Sequence, residues 1–269
     1  MTEIGDFEGR LALVTGAGDG IGEMLAKGFA GLGMAVCVQD IREDAANRVA
    51  REIGGESFPL VFDISDRDAC MEAASALERK GMPLSVLWLN AGAGVGSPLL
   101  DGKPGAIEWA FSVNVLGAIW TAQAFAPRMT DADGPRHVGV TASSAALRKP
   151  DGDFPLYALT KHGTFAVGET LRSDFAARGI PTTILCPGLL NTRIWDGARA
   201  RPDRFGGARH MDPSISTRWD EAKPPEVMWP HIEAALSAGG GYLVCATDDE
   251  TAEAWDARSA EIMAGLVVV

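Results

Sequence analysis

The sequence predicts a doubly wound α/β protein, a parallel sheet of about seven strands with helices on both faces. Three observations predict it. Short runs rich in Val, Leu and Ile recur without strict polar alternation, as in strands buried on both sides. Segments with apolar residues at helical spacing separate them. The first run stops at a glycine cluster, Thr15 to Gly22, where the first helix should begin.

Leu11 to Val14 predicts the first strand and Ile21 to Leu32 the first helix. The alternation continues with a strand at Ala35 to Gln39, a helix at Glu43 to Ile53, a strand at Phe58 to Phe62 and a helix at Asp66 to Arg79. Leu84 to Leu89 gives a fourth strand, Ile107 to Ala126 a helix and His137 to Thr141 a fifth strand. Tyr157 to Ala177 then reads as helix, Thr182 to Cys186 as the sixth strand and Tyr242 to Cys245 as the seventh. Helices between such strands imply parallel pairing through right-handed crossovers. No Pro- or Ser-rich linker and no internal repeat interrupts the pattern, so 1–269 is expected to be one domain. The exception is 191–225, dense in Arg, Asp, Gly and Pro, which reads as a lid between the sixth strand and the last helices.

Apolar residues make up 46% and charged residues 22%, the balance of a globular protein with a sizeable core. A net charge of -12 disfavours nucleic acid and anionic membrane surfaces as partners. Cys37, Cys70, Cys186 and Cys245 have neither C-x-x-C spacing nor a histidine cluster nearby, so they read as reduced core thiols, and no metal site is expected. The first residues lack a basic-then-apolar order, and no apolar run reaches the roughly 18 residues of a membrane span, which makes the cytoplasm the expected location.

Backbone N–H groups at the glycine turn, together with the N-terminus of the first helix, can receive a pyrophosphate. A tight turn without a ligand is the alternative, and the position directly after the first strand favours the ligand. The spacing is Gly16-x-x-x-Gly20-x-Gly22, with Ile21 where the commoner G-x-G-x-x-G would place its third glycine. Asp40 ends the second strand, where a carboxylate accepts from adenosine ribose hydroxyls and would repel a 2′-phosphate. Asp19 is acidic as well, so NAD is expected over NADP; Arg42 is the nearby cation that weighs against this. Asp40 could instead cap the helix that starts near Glu43.

Tyr157 and Lys161 stand at i and i+4, on one face of a helix. A phenol has a pKa near ~10, so phenolate at neutrality needs about 4 kcal/mol of stabilisation, much of which one desolvated ammonium could supply. Ser143 and Ser144 follow the fifth strand, and Asn114 lies in the helix before it. His162 is next to Lys161, but adjacent residues on a helix point in different directions.

With these motifs in order, the chain resembles the short-chain dehydrogenase/reductase family, in its single-domain, Rossmann-type branch. Thr15 to Gly22 looks like its T-G-x-x-x-G-x-G turn, Asp63-Ile64 like its adenine-contacting pair and Asn90-Ala91-Gly92 like its N-A-G element. Pro187-Gly188, with Leu190 and Thr192 after it, resembles its nicotinamide-contacting segment. Ser144 lies thirteen residues before Tyr157, similar to the family's interval, which makes Ser143 the bystander. The resemblance implies Tyr157 as acid/base, Ser144 on the substrate oxygen, Lys161 on the ribose while lowering the tyrosine pKa, and Asn114 positioning a relay water. It also implies a homodimer or homotetramer, and hydride exchange between NAD(H) and a secondary alcohol or ketone.

Segments 93–100, 145–156 and 191–225 should select the substrate. Trp195, Phe205, Met211 and Trp219 suggest a bulky cyclic or aromatic one. Arg193, Arg199, Arg201, Arg204, Arg209 and Arg218 crowd the same stretch; pairing with Asp196, Asp203, Asp212 and Asp220 is the preferred reading over capture of an anionic substrate. The apolar end, Gly265 to Val269, is expected to pack at a subunit interface. Two other functions fit the motifs less well: a sugar-nucleotide epimerase or dehydratase, which usually has more chain after the sixth strand, and a non-catalytic NAD-sensing regulator.

Overall fold

The structure is a computed structural model and describes residues 3–129, 134–150, 154–245 and 250–264. Seven parallel strands form one sheet in the order β3-β2-β1-β4-β5-β6-β7. They are β1 (Leu11–Thr15), β2 (Ala35–Asp40), β3 (Phe58–Val61), β4 (Leu84–Leu89), β5 (His137–Thr141), β6 (Thr182–Pro187) and β7 (Gly240–Cys245). Every strand read from the sequence is present, within about two residues at each end.

The helices are α1 (Gly20–Gly31), α2 (Glu43–Ile53), α3 (Arg67–Glu78), α4 (Pro104–Phe111), α5 (Gly117–Phe125), α6 (Pro155–Ala176), α7 (Thr217–Asp220), α8 (Trp229–Ala238) and α9 (Glu250–Ala264). Alternation along β1 shows why the strands lack polar positions. Leu11 and Leu13 pack with α3 and α5 on one face, while Ala12 and Val14 pack with α1, α2 and α8 on the other.

The helix expected over Ile107 to Ala126 is divided. α4 and α5 are joined by a π-helical turn, Ser112–Leu116, that carries Asn114. Such a turn inserts one extra residue and is frequent at functional sites. The start of β7 is two residues earlier than expected, because Gly240 (φ +81°) lies so close to β6 that a Cβ there would stand 2.4 Å from the Thr182 carbonyl oxygen.

β1 and β4 are neighbours, and the chain runs outward from them to both edges of the sheet. Their carboxyl ends therefore flank the crevice where ligands of open α/β sheets bind. Over it lies the segment 191–225, built from short 3₁₀ turns and α7, with its base closed by a bridge from Leu190 to Lys223. Cys37, Cys70 and Cys186 are buried free thiols, and Cys245 is half-buried and free. Among the described residues no helix is long and apolar enough to cross a membrane. The apolar end 265–269 lies outside the described residues.

Candidate active site

The glycine turn is tied to the end of β4. Thr15 Oγ1 accepts from the backbone N–H groups of Asn90 (2.9 Å) and Ala91 (3.0 Å), and Asn90 Nδ2 donates to the Thr15 carbonyl at 3.0 Å. Gly16 has φ +63°, and a Cβ there would lie 2.8 Å from Ala91 Cα, so only glycine lets the two strand ends meet this closely. The space left in front of the turn and the α1 N-terminus is the kind of cradle that a dinucleotide pyrophosphate fills.

Asp40 is buried at the end of β2. Its Oδ2 accepts from the Gly18 N–H at 3.0 Å and its Oδ1 from the Arg42 N–H at 2.9 Å. The N-cap of α2 is Arg42, so Asp40 organises the turn rather than capping that helix. Gln39 escaped the sequence reading: its Oε1 accepts from the Gly16 N–H at 3.1 Å and its Nε2 donates to the Phe62 carbonyl at 2.7 Å. A lone amide in an otherwise apolar strand was the available signal.

A cavity of about 600 Å³ joins this turn to the ends of β4, β5 and β6. It is lined by Gly16, Asp19, Gly20, Ile21, Gly22, Asp40, Asp63, Ile64, Asn90, Ala91 and Gly92 on one side. Ser143, Ser144, Tyr157, Lys161, Pro187, Gly188, Leu190 and Thr192 complete the wall. Asn114 lies behind it.

Tyr157 enters from the first turn of α6 and hydrogen-bonds with the Ser143 side chain. The serine beside the phenol is thus Ser143, and Ser144 begins the 3₁₀ turn Ser144–Ala146. Ser143 continues the extended path of β5 (φ -172°, ψ 155°), and successive side chains of extended backbone point to opposite sides. The interval of thirteen residues runs through a loop, and the length of a loop does not set which of the two cavity-lining serines meets the phenol.

Burial pushes the Tyr157 phenol above its ordinary value, and the Ser143 hydrogen bond works against that rise. The expected lowering by Lys161 is absent. Lys161 is buried, its Nζ donates to the Thr141 carbonyl at 2.9 Å, and it stands 5.8 Å from the centroid of the tyrosine ring. Burial presses its own pKa down to about 8. Both side chains line the same cavity, so one ligand there can meet the phenol and the ammonium together.

Asn114 is a clamp. Its Oδ1 accepts from the Ala93 N–H at 2.7 Å, and its Nδ2 donates to the Ala93 carbonyl at 3.0 Å and to Thr160 Oγ1 at 2.8 Å. Its own carbonyl accepts from Thr164 Oγ1 at 2.8 Å. These bonds hold the segment after β4 against α6. His162 turns the other way, with Nδ1 2.8 Å from the Ala158 carbonyl and Nε2 2.9 Å from Arg258 of α9.

Three of the six lid arginines form ion pairs among the described residues, two of them with carboxylates far away in sequence. Arg193 meets Asp196 at 3.1 Å, as expected. Arg199 instead reaches Asp19 at 2.7 Å, and Arg204 reaches Asp63 at 2.7 Å. Asp212 and Asp220 bond Ser214 and Ser216 rather than arginines. The lid folds back across the crevice, and this brings its cations to the acids of the glycine turn and of the segment after β3. Asp196 is buried within the lid. Burial works to raise its pKa, but hydrogen bonds from the Met211 N–H, His210 and Arg193 win and hold it below the ordinary value.

Comparisons with known proteins agree with this geometry. The short chain dehydrogenase family model matches residues 10–203. The chain is 34% identical over 213 residues to 1-deoxy-11-beta-hydroxypentalenate dehydrogenase of Streptomyces exfoliatus, covering 77% of this chain and 75% of that one. It is 32% identical over 194 residues to a probable oxidoreductase EphD of Mycobacterium tuberculosis, covering 71% of this chain and 32% of the relative, so it spans about a third of that longer protein. A short chain dehydrogenase/reductase from Burkholderia phymatum, solved in complex with NAD, superposes with a TM-score of 0.85 at 26% identity and covers 98% of each chain. A matching family model over most of the chain, a relative alike along three quarters of its length, and one cavity uniting glycine turn, tyrosine and lysine lead to one assignment: this chain belongs to the short-chain dehydrogenase/reductase family.

Proposed function

We propose that the protein is an NAD-dependent oxidoreductase that interconverts a secondary alcohol and a ketone on a bulky, ring-containing substrate. The observation that carries this reading is the convergence of Tyr157, Ser143 and Lys161 in a cavity that also holds the glycine turn. The far end of the same cavity is lined by Phe154, Trp195 and Trp219. Rings stack well on such surfaces. Relatives named for hydroxypentalenate, estradiol and retinol dehydrogenation are consistent with a cyclic alcohol.

When bound, a nicotinamide dinucleotide supplies the hydride acceptor for oxidation and the donor for reduction. Gly16 to Gly22 and the α1 N-terminus would hold its pyrophosphate, Asp40 its adenosine ribose, and Asp63 with Ile64 its adenine. Asp40 and Asp19 favour a free 2′-hydroxyl over a phosphate. Arg42 lies 3.5 Å from Asp40 and 3.7 Å from Asp19, so its charge is already compensated.

In reduction the Tyr157 phenol gives its proton to the carbonyl oxygen. In oxidation the phenolate takes the hydroxyl proton. Ser143 donates a hydrogen bond to the same oxygen and steadies the charge that develops there. Lys161 would hold the ribose hydroxyls and, as an ammonium on the same side of the site, would favour the phenolate electrostatically. Asn114 keeps α6 and the segment after β4 in register, so that Tyr157 and Lys161 face one point. A phenol raised by burial is protonated at neutral pH, the state from which ketone reduction starts.

The test is turnover of cyclic and aryl secondary alcohols and their ketones, with wild type beside Tyr157→Phe, and NADH affinity measured on both. A loss of ~10²–10⁴-fold in kcat with NADH binding retained supports the reading. Tight NADH binding by the wild type without turnover across a broad panel would favour a dinucleotide sensor and overturn it.

A further inference from the structure

The cavity is electrically lopsided. Among its described lining residues the carboxylates are Asp19, Asp40 and Asp63, all at the end expected to hold the cofactor. Its other end, beside Phe154, Trp195 and Trp219, has cationic neighbours and no described acid in its wall.

Most of those cations are already engaged. Lys149 meets Glu261 at 3.1 Å, Arg193 meets Asp196, and Arg148 donates to Thr251 Oγ1 at 2.8 Å. Arg218 differs: among the described residues it has no ion pair and no side-chain hydrogen bond. It sits on α7, next to the buried Trp219, whose ring meets Phe154 edge-to-face at 5.8 Å. Arg218 also lines an adjoining cavity of about 380 Å³ with Phe154, Trp195, Met211 and Trp219. A ring system placed against these aromatics would bring its outer substituent to the guanidinium.

Resting on the oxidoreductase reading above, we propose that the substrate is a cyclic hydroxy- or oxo-carboxylic acid, with its carboxylate held by Arg218. The planar fork of a guanidinium matches a carboxylate with two parallel hydrogen bonds, which a neutral ester cannot fully accept. The chain as a whole is at -12, so its long-range field repels the anion, and preference for it must come from a local unpaired cation. The lid places one at the mouth of the aromatic slot. Substitution of Arg193, Arg199, Arg201 or Arg204 would disturb bonds that hold the lid, and Arg209 does not line the cavity; Arg218 lines it and is available to a ligand.

The experiment uses hydroxylated mono- and polycyclic carboxylic acids, each beside its methyl ester. Binding to the NADH-loaded protein is read by quenching of tryptophan fluorescence, and turnover is measured in parallel. The wild type is expected to bind acid about tenfold tighter than ester, and Arg218→Gln to weaken acid alone until the two agree within about twofold. Arg218→Lys should keep part of the preference. Equal binding of acid and ester by the wild type, or equal weakening of both by Arg218→Gln, overturns the anion site. Acid preference in binding with turnover of neither form refutes the oxidoreductase reading and supports the site. Turnover of esters and acids with the same KM keeps that reading and overturns the site.

Discussion

Replacing Ser143 by alanine separates the two adjacent serines. Ser143 is 7% exposed, and its Oγ accepts from the Ala145 N–H at 3.1 Å while hydrogen-bonding with Tyr157. Loss of the first bond uncaps a short 3₁₀ turn and should cost about 1 kcal/mol of stability, a small shift in Tm. Loss of the hydroxyl as a donor to the substrate oxygen should cost ~10²–10³-fold in kcat, equivalent to about 2.7–4 kcal/mol of transition-state stabilisation. Tyr157 also loses the one partner that opposes its rise, so the pH dependence of oxidation should move to more alkaline values. Ser144→Ala removes a hydroxyl with no side-chain hydrogen bond among the described residues and should leave kcat within about twofold. Ser143→Thr keeps an oxygen and should recover part of the activity. The assay is kcat and kcat/KM for reduction and oxidation across neutral and alkaline pH, with NADH affinity as the control for folding. Greater damage from Ser144→Ala than from Ser143→Ala would refute the assignment.

Asp40→Ser should lower NADH affinity about tenfold and narrow or invert the preference over NADPH, measured by fluorescence titration at fixed salt. Tighter NADPH binding by the wild type would overturn Asp40 as ribose reader and implicate Arg42. Asp196→Ala leaves the Met211 N–H and Arg193 without their acceptor inside the lid; the expected result is much faster limited proteolysis within 191–225, with the sheet intact by circular dichroism. An unchanged digestion pattern would show that Asp196 does not organise the lid. Lys161 has a folded pKa of about 8 against 10.5 for the free side chain. Between those values the unfolded chain binds more protons, so this group's contribution rises as pH increases from 8 toward 10.5 and is lost as pH falls through 8, a span on the order of 3 kcal/mol. Wild type should therefore gain stability relative to Lys161→Met over that interval in denaturant titrations of the free protein; a constant difference would contradict a buried, desolvated ammonium.

The order of strands and helices was legible from residues 11 to 245 because hydrophobic period is a local property. Leu11 to Val14 needs no knowledge of α1 or α5 to read as buried on both faces. The glycine turn was legible for the same reason, since its place between strand and helix is a matter of adjacent residues. So was the shared face of Tyr157 and Lys161, which one helical turn enforces. Folding of the chain upon itself decided the rest. Which serine meets Tyr157 depends on the direction in which backbone leaves β5, and a count through the loop that follows carries no information about it. The rise of the Tyr157 pKa follows from the burial that the folded chain imposes on it, whereas the spacing to Lys161 suggested only an attractive charge. Arg199 and Asp19 are 180 positions apart, and their pairing exists because the lid crosses the crevice. Arg218 was one of six similar arginines in the sequence; what sets it apart in space is that, among the described residues, it has no ion pair and its side chain lines the cavity beside Phe154, Trp195 and Trp219. Periodicity and short spacings act within one element, but charge compensation and burial are set by everything packed around a group.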